Sequence, residues 1–110
     1  QGILERYEEA FENFEACLCI QINVLPSDHL DIAETQECLG EMAVELKKLS
    51  LAASYFERVL EIRQKHLPDF KIEVMNTWKL LGHIYDELER YDDSERAFYE
   101  YECFKLSISS

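Results

Sequence analysis

Leu4-Glu5-Arg6-Tyr7-Glu8-Glu9-Ala10 returns near the other end of the chain as Leu88-Glu89-Arg90-Tyr91-Asp92-Asp93-Ser94, 84 residues on. Midway, 42 residues from each, stands Leu46-Lys47-Lys48-Leu49-Ser50-Leu51-Ala52, degenerate but with its apolar positions kept. Leu25-Pro26 and Leu67-Pro68 fall in the same frame, as do Leu39-Gly40 and Leu81-Gly82, and Phe14, Phe56 and Phe98 form a complete triplet. A unit of that size cannot bury its apolar face alone and must stack on its copies, so the offset constrains the fold more than any local signal. The chain of 110 residues is expected to be one domain of about two and a half units. These are a partial unit at 1–26 and full units at 27–68 and 69–110. The first unit has lost nearly all of its first helix.

Within each unit the pattern is helical. Trp78, Leu81, Gly82 and Tyr85 stand at i, i+3, i+4 and i+7, one face of a helix. Tyr91, Ser94 and Phe98 repeat the spacing just past a polar turn, which marks two helices folded against each other. A glycine among large residues costs about 1 kcal/mol of helix propensity, and its use is to let a second backbone come close. Glycine (3) and proline (2) are otherwise scarce and 47% of residues are hydrophobic, so an all-α, packed chain with short connections is expected. The expected helices run over about 7–24, 31–48, 50–66, 72–88 and 92–106. Pro26 and Pro68 close the turns between units. Asp31 with Glu34, and Asp92 with Glu95, resemble capping boxes. Tyr7, Ala10, Phe14, Cys17 and Leu18 are the expected buried stripe of the first helix. The expected inner face of the second is Ala33, Gln36, Leu39, Gly40 and Ala43. Ala52, Phe56, Val59 and Leu60 turn inward on the third. The last four residues, Ser-Ile-Ser-Ser, are expected to fray.

Trp78-x-x-Leu81-Gly82-x-x-Tyr85 followed by Ser94-x-x-x-Phe98 resembles the tetratricopeptide-repeat signature. Gln36-x-x-Leu39-Gly40-x-x-Ala43 with Ala52-x-x-x-Phe56 is a weaker copy, and Ala10-x-x-x-Phe14 is the tail of a third. The resemblance implies a right-handed superhelical solenoid of antiparallel helix hairpins, about five helices in all, that works as a protein–protein interaction module. The usual unit is about 34 residues. The longer period here resembles the repeats of kinesin light chain and related adaptor arrays. Those arrays carry asparagines inside the first helix of each unit, where this chain has Glu37-Cys38 and Lys79-Leu80, so their cargo specificity does not carry over. Length alone would also suit HEAT-like repeats, but the Trp/Leu-Gly/Tyr pattern argues against them.

Stacked hairpins line a concave groove with the first helix of each unit. Opposite the packing face, the groove stripe reads Glu34, Glu37, Glu41, Val44 and Glu45 in one unit and Asn76, Lys79, His83, Asp86 and Glu87 in the next. Glu37–Glu41 and Glu41–Glu45 are like-charge pairs one turn apart, each costing a few tenths of a kcal/mol. Such a ladder suits a Lys- or Arg-bearing peptide; the plainer reading is a solvated acidic face. Trp78 and Tyr85 read as core at this spacing, not as a ligand-stacking pair. His83 reads as a polar groove residue that could titrate near neutral pH. Tyr99, Tyr101 and Phe104 are where a further unit or a second chain would dock.

The net charge of −12 is unevenly spread. Residues 1–46 hold eleven acids and one base, 47–79 seven bases and four acids, and 86–102 eight acids and two bases. A surface of this sign is a poor partner for a phosphate backbone, so no nucleic acid is expected. No apolar run reaches the ~20 residues of a membrane span. Cys17, Cys19, Cys38 and Cys103 suggest no disulfide framework; Cys17 and Cys38 fall at helical core positions, and a reducing, cytoplasmic setting is expected. His29, His66 and His83 lie far from metal-ligand spacing, so neither metal nor cofactor is expected. There is no nucleophile with a base by motif and no glycine-rich phosphate loop, and the carboxylates sit on exposed faces; no catalysis is expected. Because the chain opens on Gln1, it reads as a piece of a longer protein. Two alternatives to the adaptor reading stand. One is a regulatory segment of a larger enzyme. The other is a self-association module pairing as a homodimer through the orphaned first helix, with Phe11, Phe14, Leu18, Ile20 and Ile22.

Overall fold

Two close approaches, Phe56 on Gly40 and Phe98 on Gly82, organise the architecture. A Cβ added to Gly40 would lie 2.8 Å from the Phe56 ring, and one added to Gly82 would lie 2.7 Å from Phe98. The absent side chain lets each ring sit on the backbone of the helix it covers. The computed structural model describes residues 2–109. Its helices are α1 (Ile3–Val24), α2 (Leu30–Glu45), α3 (Leu49–Gln64), α4 (Lys71–Glu87) and α5 (Tyr91–Ser109). α2 with α3, and α4 with α5, are hairpins, each carrying one of these glycine–phenylalanine contacts. Each helix packs on its neighbours in the chain, and among the described residues no other pair of helices comes within 8 Å at Cα. That sequential packing gives an elongated body of 46 × 33 × 21 Å, as expected of a solenoid.

The two hairpins share further detail. Lys47 and Glu89 both adopt the left-handed conformation, at φ 63° and 61°. Each follows a helix end closed in the same way. Lys48 N–H donates to Ala43 C=O and Lys47 N–H to Val44 C=O, at 2.8 and 3.0 Å; Arg90 and Glu89 do the same toward Tyr85 and Asp86. This double bond pattern is the Schellman motif, here with a charged residue where glycine is usual. Ser94 adds a buried bond across the second hairpin, its hydroxyl donating to Gly82 C=O at 3.0 Å.

The core follows the expected faces in α2 and α3. Ala33, Gln36, Leu39, Gly40 and Ala43 are all buried, as are Ala52, Phe56, Val59 and Leu60. Phe56, Leu39, Leu81, Val59 and Val74 are the largest fully buried side chains. α1 departs from expectation. Phe11 and Leu18 are its buried residues; Tyr7, Ala10 and Phe14 are half-buried and Cys17 is exposed. The expected stripe would pack a hairpin partner, and no described helix takes that place. α1 instead turns Phe11 and Leu18 to the core, and the Phe11 ring meets Tyr55 of α3 edge-on at 6.2 Å. Cys38 is likewise half-buried rather than core. The capping expectation at Asp31 also fails: the N-cap is His29, whose Nδ1 accepts from Asp31 N–H at 3.0 Å. At the far end α5 stays helical through Ser109, so Ser107 to Ser109 do not fray; Ser110 lies outside the described residues.

Candidate functional site

The stripe on α2 is exposed at Glu34, Glu41 and Glu45 and half-buried at Glu37 and Val44. Glu37 is not free. Its two carboxylate oxygens accept from the two terminal nitrogens of Arg63 at 2.9 and 3.2 Å. The Arg63 side chain is only 8% exposed, and its guanidinium also lies over the Phe70 ring at 5.9 Å. A fork-to-fork pair of this kind is strong and directional. It is the one ion pair that the acidic ladder makes among the described residues. None engages Glu34, Glu41 or Glu45. Partial burial pushes the Glu41 carboxyl above its ordinary value and Glu37 adds to the shift, with Arg63 opposing. The Cys38 thiol is raised by burial and then by Glu41, Glu37 and Glu34, which makes it a poor nucleophile.

On α4, Asn76, Lys79, His83, Asp86 and Glu87 are exposed. Three of them lean toward their own hairpin partner. The Lys79 ammonium stands 5.6 Å from the Tyr101 ring, His83 meets Phe98 edge-on at 5.1 Å, and Asp86 lies 3.5 Å from the Ser94 hydroxyl. Glu37 reaches α3 in the same sense. Glu37, Lys79 and His83 thus edge the seams of their hairpins.

Tyr85 is buried and Trp78 half-buried, so both belong to the packing face. They also line a cleft of about 270 Å³ between α3, α4 and α5. There the Tyr85 hydroxyl donates to Glu57. Arg90 stacks over the Tyr85 ring at 4.6 Å and pairs with Asp93 at 2.9 Å and Glu57 at 3.8 Å. Desolvation raises the Tyr85 phenol far above its ordinary value, and the Glu57 hydrogen bond and charge add to it. Sequence reasoning missed Arg63 and this Glu57–Tyr85–Arg90–Asp93 network. Arg63 did carry a signal, since it stands one turn past Val59 and Leu60 on the inward face of its helix, where an unpaired charge is rarely tolerated.

Repeated helix hairpins with a small residue under a phenylalanine at each seam point to one family. A family model described as tetratricopeptide repeat matches residues 3–65. The chain belongs to the tetratricopeptide-repeat family. The match spans α1 to α3, while the fullest signature copy lies beyond it on α4. Tetratricopeptide repeats are in general protein–protein interaction modules, typically non-catalytic. No curated protein matches the chain. Among the described residues no group of three or more His, Cys, Asp or Glu is placed to hold a metal ion, and no helix is long and apolar enough to cross a membrane.

Proposed function

We propose that this tetratricopeptide-repeat chain is an adaptor whose concave stripe on α2 and α4 receives a basic peptide or helix. The uncompensated acidic set at Glu34, Glu41 and Glu45 carries the reading. Glu37 has an internal cation, while Glu34, Glu41 and Glu45 make no ion pair with any described residue. A Lys or Arg side chain from a partner would supply the counter-charge. Asn76, Lys79, His83 and Asp86 form the other half of the groove, with Lys79 and His83 setting polarity rather than adding acidity. The matching glycine–phenylalanine seams and left-handed helix ends, each 42 residues apart, support units divided at 1–26, 27–68 and 69–110 and a likeness to the long adaptor repeats of kinesin light chain. A cytoplasmic setting suits four free cysteines.

The test is Glu34→Lys with Glu41→Lys, which spares the Glu37–Arg63 pair. Binding of a lysine-rich peptide, followed by calorimetry at low salt, should weaken roughly 10-fold or more and should weaken further with added salt. Unchanged affinity sinks the reading.

One observation favours a second reading. Ile3, Leu4, Ile20, Ile22 and Val24 of α1 are all more than half exposed, and the Phe14 seam position has no glycine to cover. Self-association through α1 would bury both. Solution mass measured across a concentration series decides it: a mass that stays monomeric at high concentration removes this reading.

A further inference from the structure

The 42-residue register lets α1, α3 and α5 be compared position by position. Phe11 and Leu18 of α1 stand where α3 has Ala53 and Leu60, and all four are buried. α5 has Glu95 and Glu102 at these positions, both exposed. A face charged at both places is made for water, so α5 closes its end of the stack. The other face differs at α1. Ala52, Phe56, Val59 and Ile62 of α3 are buried, and their copies on α5 are buried or half-buried beside α4. On α1 the copies are Ala10, Phe14, Cys17 and Ile20, the first two half-buried and the last two exposed. Ile62 is 6% exposed and Ile20 64%. What covers this face is on display twice in the same molecule. α2 and α4, helices of 16 and 17 residues, each present a Leu-Gly pair, with Gly40 under Phe56 and Gly82 under Phe98.

We propose that the open face of α1 docks one helix of a different protein, a basic amphipathic helix of about four turns with a glycine among its apolar residues to receive Phe14. The glycine follows from the two seams, where the absent side chain admits the ring. The apolar face follows from Cys17 and Ile20, which it covers. The basic character follows from the charge of α1, which carries Glu5, Glu8, Glu9, Glu12 and Glu15 against Arg6 alone, so a cationic helix is drawn to it and an acidic one repelled. A second copy of the chain suits this face less well. Its α1 brings the same excess of acid, and its two Leu-Gly helices already hold Phe56 and Phe98. The surface is also distinct from the stripe on α2 and α4: the stripe offers carboxylates to basic side chains, whereas α1 offers apolar side chains to a helix face.

The probe is a peptide copying Lys71–Glu87, held helical by a staple on its solvent face and carrying Glu73→Lys, Asp86→Lys and Glu87→Lys, with Leu81-Gly82 left in place. Calorimetry with the full chain should show saturable binding of one peptide per chain. Cys17→Gln with Ile20→Gln in the chain should weaken it roughly 10-fold or more; both residues are exposed, and circular dichroism should show the fold kept. Gly82→Leu in the peptide should weaken binding as much, because the added side chain meets Phe14. The peptide with its native acids should bind about 3–10-fold more weakly at low salt, and added salt should narrow the gap. Glu34→Lys with Glu41→Lys in the chain should change the affinity by no more than about 2-fold, so failure here is separable from failure of the groove reading. The proposal is overturned if the lysine-bearing peptide does not bind, if the double-glutamine chain or the Gly82→Leu peptide binds normally, or if Glu34→Lys with Glu41→Lys abolishes binding. It is equally overturned if the chain is a dimer that Cys17→Gln with Ile20→Gln renders monomeric and the peptide cannot split, since a second copy then holds the face.

Discussion

Replacing each seam glycine by alanine separates intrinsic helix propensity from packing. Taken alone, Gly→Ala inside a helix is worth about 1 kcal/mol in favour of folding. At Gly40 the new Cβ would stand 2.8 Å from two atoms of the Phe56 ring. That ring is only 1% exposed, so it has nowhere to retreat, and overpacking of this kind costs roughly 1–3 kcal/mol. The net for Gly40→Ala is a loss of about 0–2 kcal/mol. At Gly82 the clash is as close, 2.7 Å from Phe98, but Phe98 is half-buried and can swing outward. Gly82→Ala is therefore expected near neutral, leaving Gly40→Ala the less stable by up to about 2 kcal/mol, some 4 °C in melting temperature per kcal/mol. Urea unfolding followed by circular dichroism reads the whole chain, while Trp78, the single tryptophan, reports the second hairpin. Equal stabilisation of both variants by the full propensity gain would refute the close-packing argument, as would a reversed order.

Arg63→Met should destabilise the chain by roughly 1–3 kcal/mol in the same unfolding assay, because it strands Glu37; that carboxylate is 35% exposed, which keeps the loss below the value for a fully buried pair. Lys47→Gly and Glu89→Gly should each stabilise by up to about 1 kcal/mol, since glycine relieves the left-handed penalty of about 1–2 kcal/mol and loses part of the gain as chain entropy; a destabilised pair of variants would contradict the helix-end geometry. The Tyr85 phenol is held above its unfolded value, so its contribution is complete below about pH 10 and lost as pH rises through its folded-state value. Stability measured against pH should fall on the alkaline side, and Tyr85→Phe should flatten part of that fall; an unchanged alkaline limb would remove Tyr85 as its source.

Much of the fold was legible because a helix writes its buried face at a spacing of three and four residues. Leu39-Gly40 and Leu81-Gly82 with their phenylalanines marked the seams, and the breaks near Pro26 and Pro68 marked the turns. What the spacing cannot say is which residue meets which across a separation of 26 or 28 positions. The Arg63–Glu37 pair and the Tyr85–Glu57 bond exist only because α2, α3 and α4 lie side by side. That packing converts a ladder of four glutamates into one internal ion pair and three open carboxylates. The left-handed Lys47 and Glu89 gave no local signal, since glycine is the residue that ordinarily advertises that conformation. In α1 the sequence by itself determined an amphipathic helix with a stripe through Ala10, Phe14 and Cys17. Tertiary structure decided that the stripe is only partly covered, because burial needs a neighbour: among the described residues α2 is the one helix that comes within 8 Å of α1 at Cα, and α1 turns Phe11 and Leu18 into the core, Phe11 reaching Tyr55 of α3.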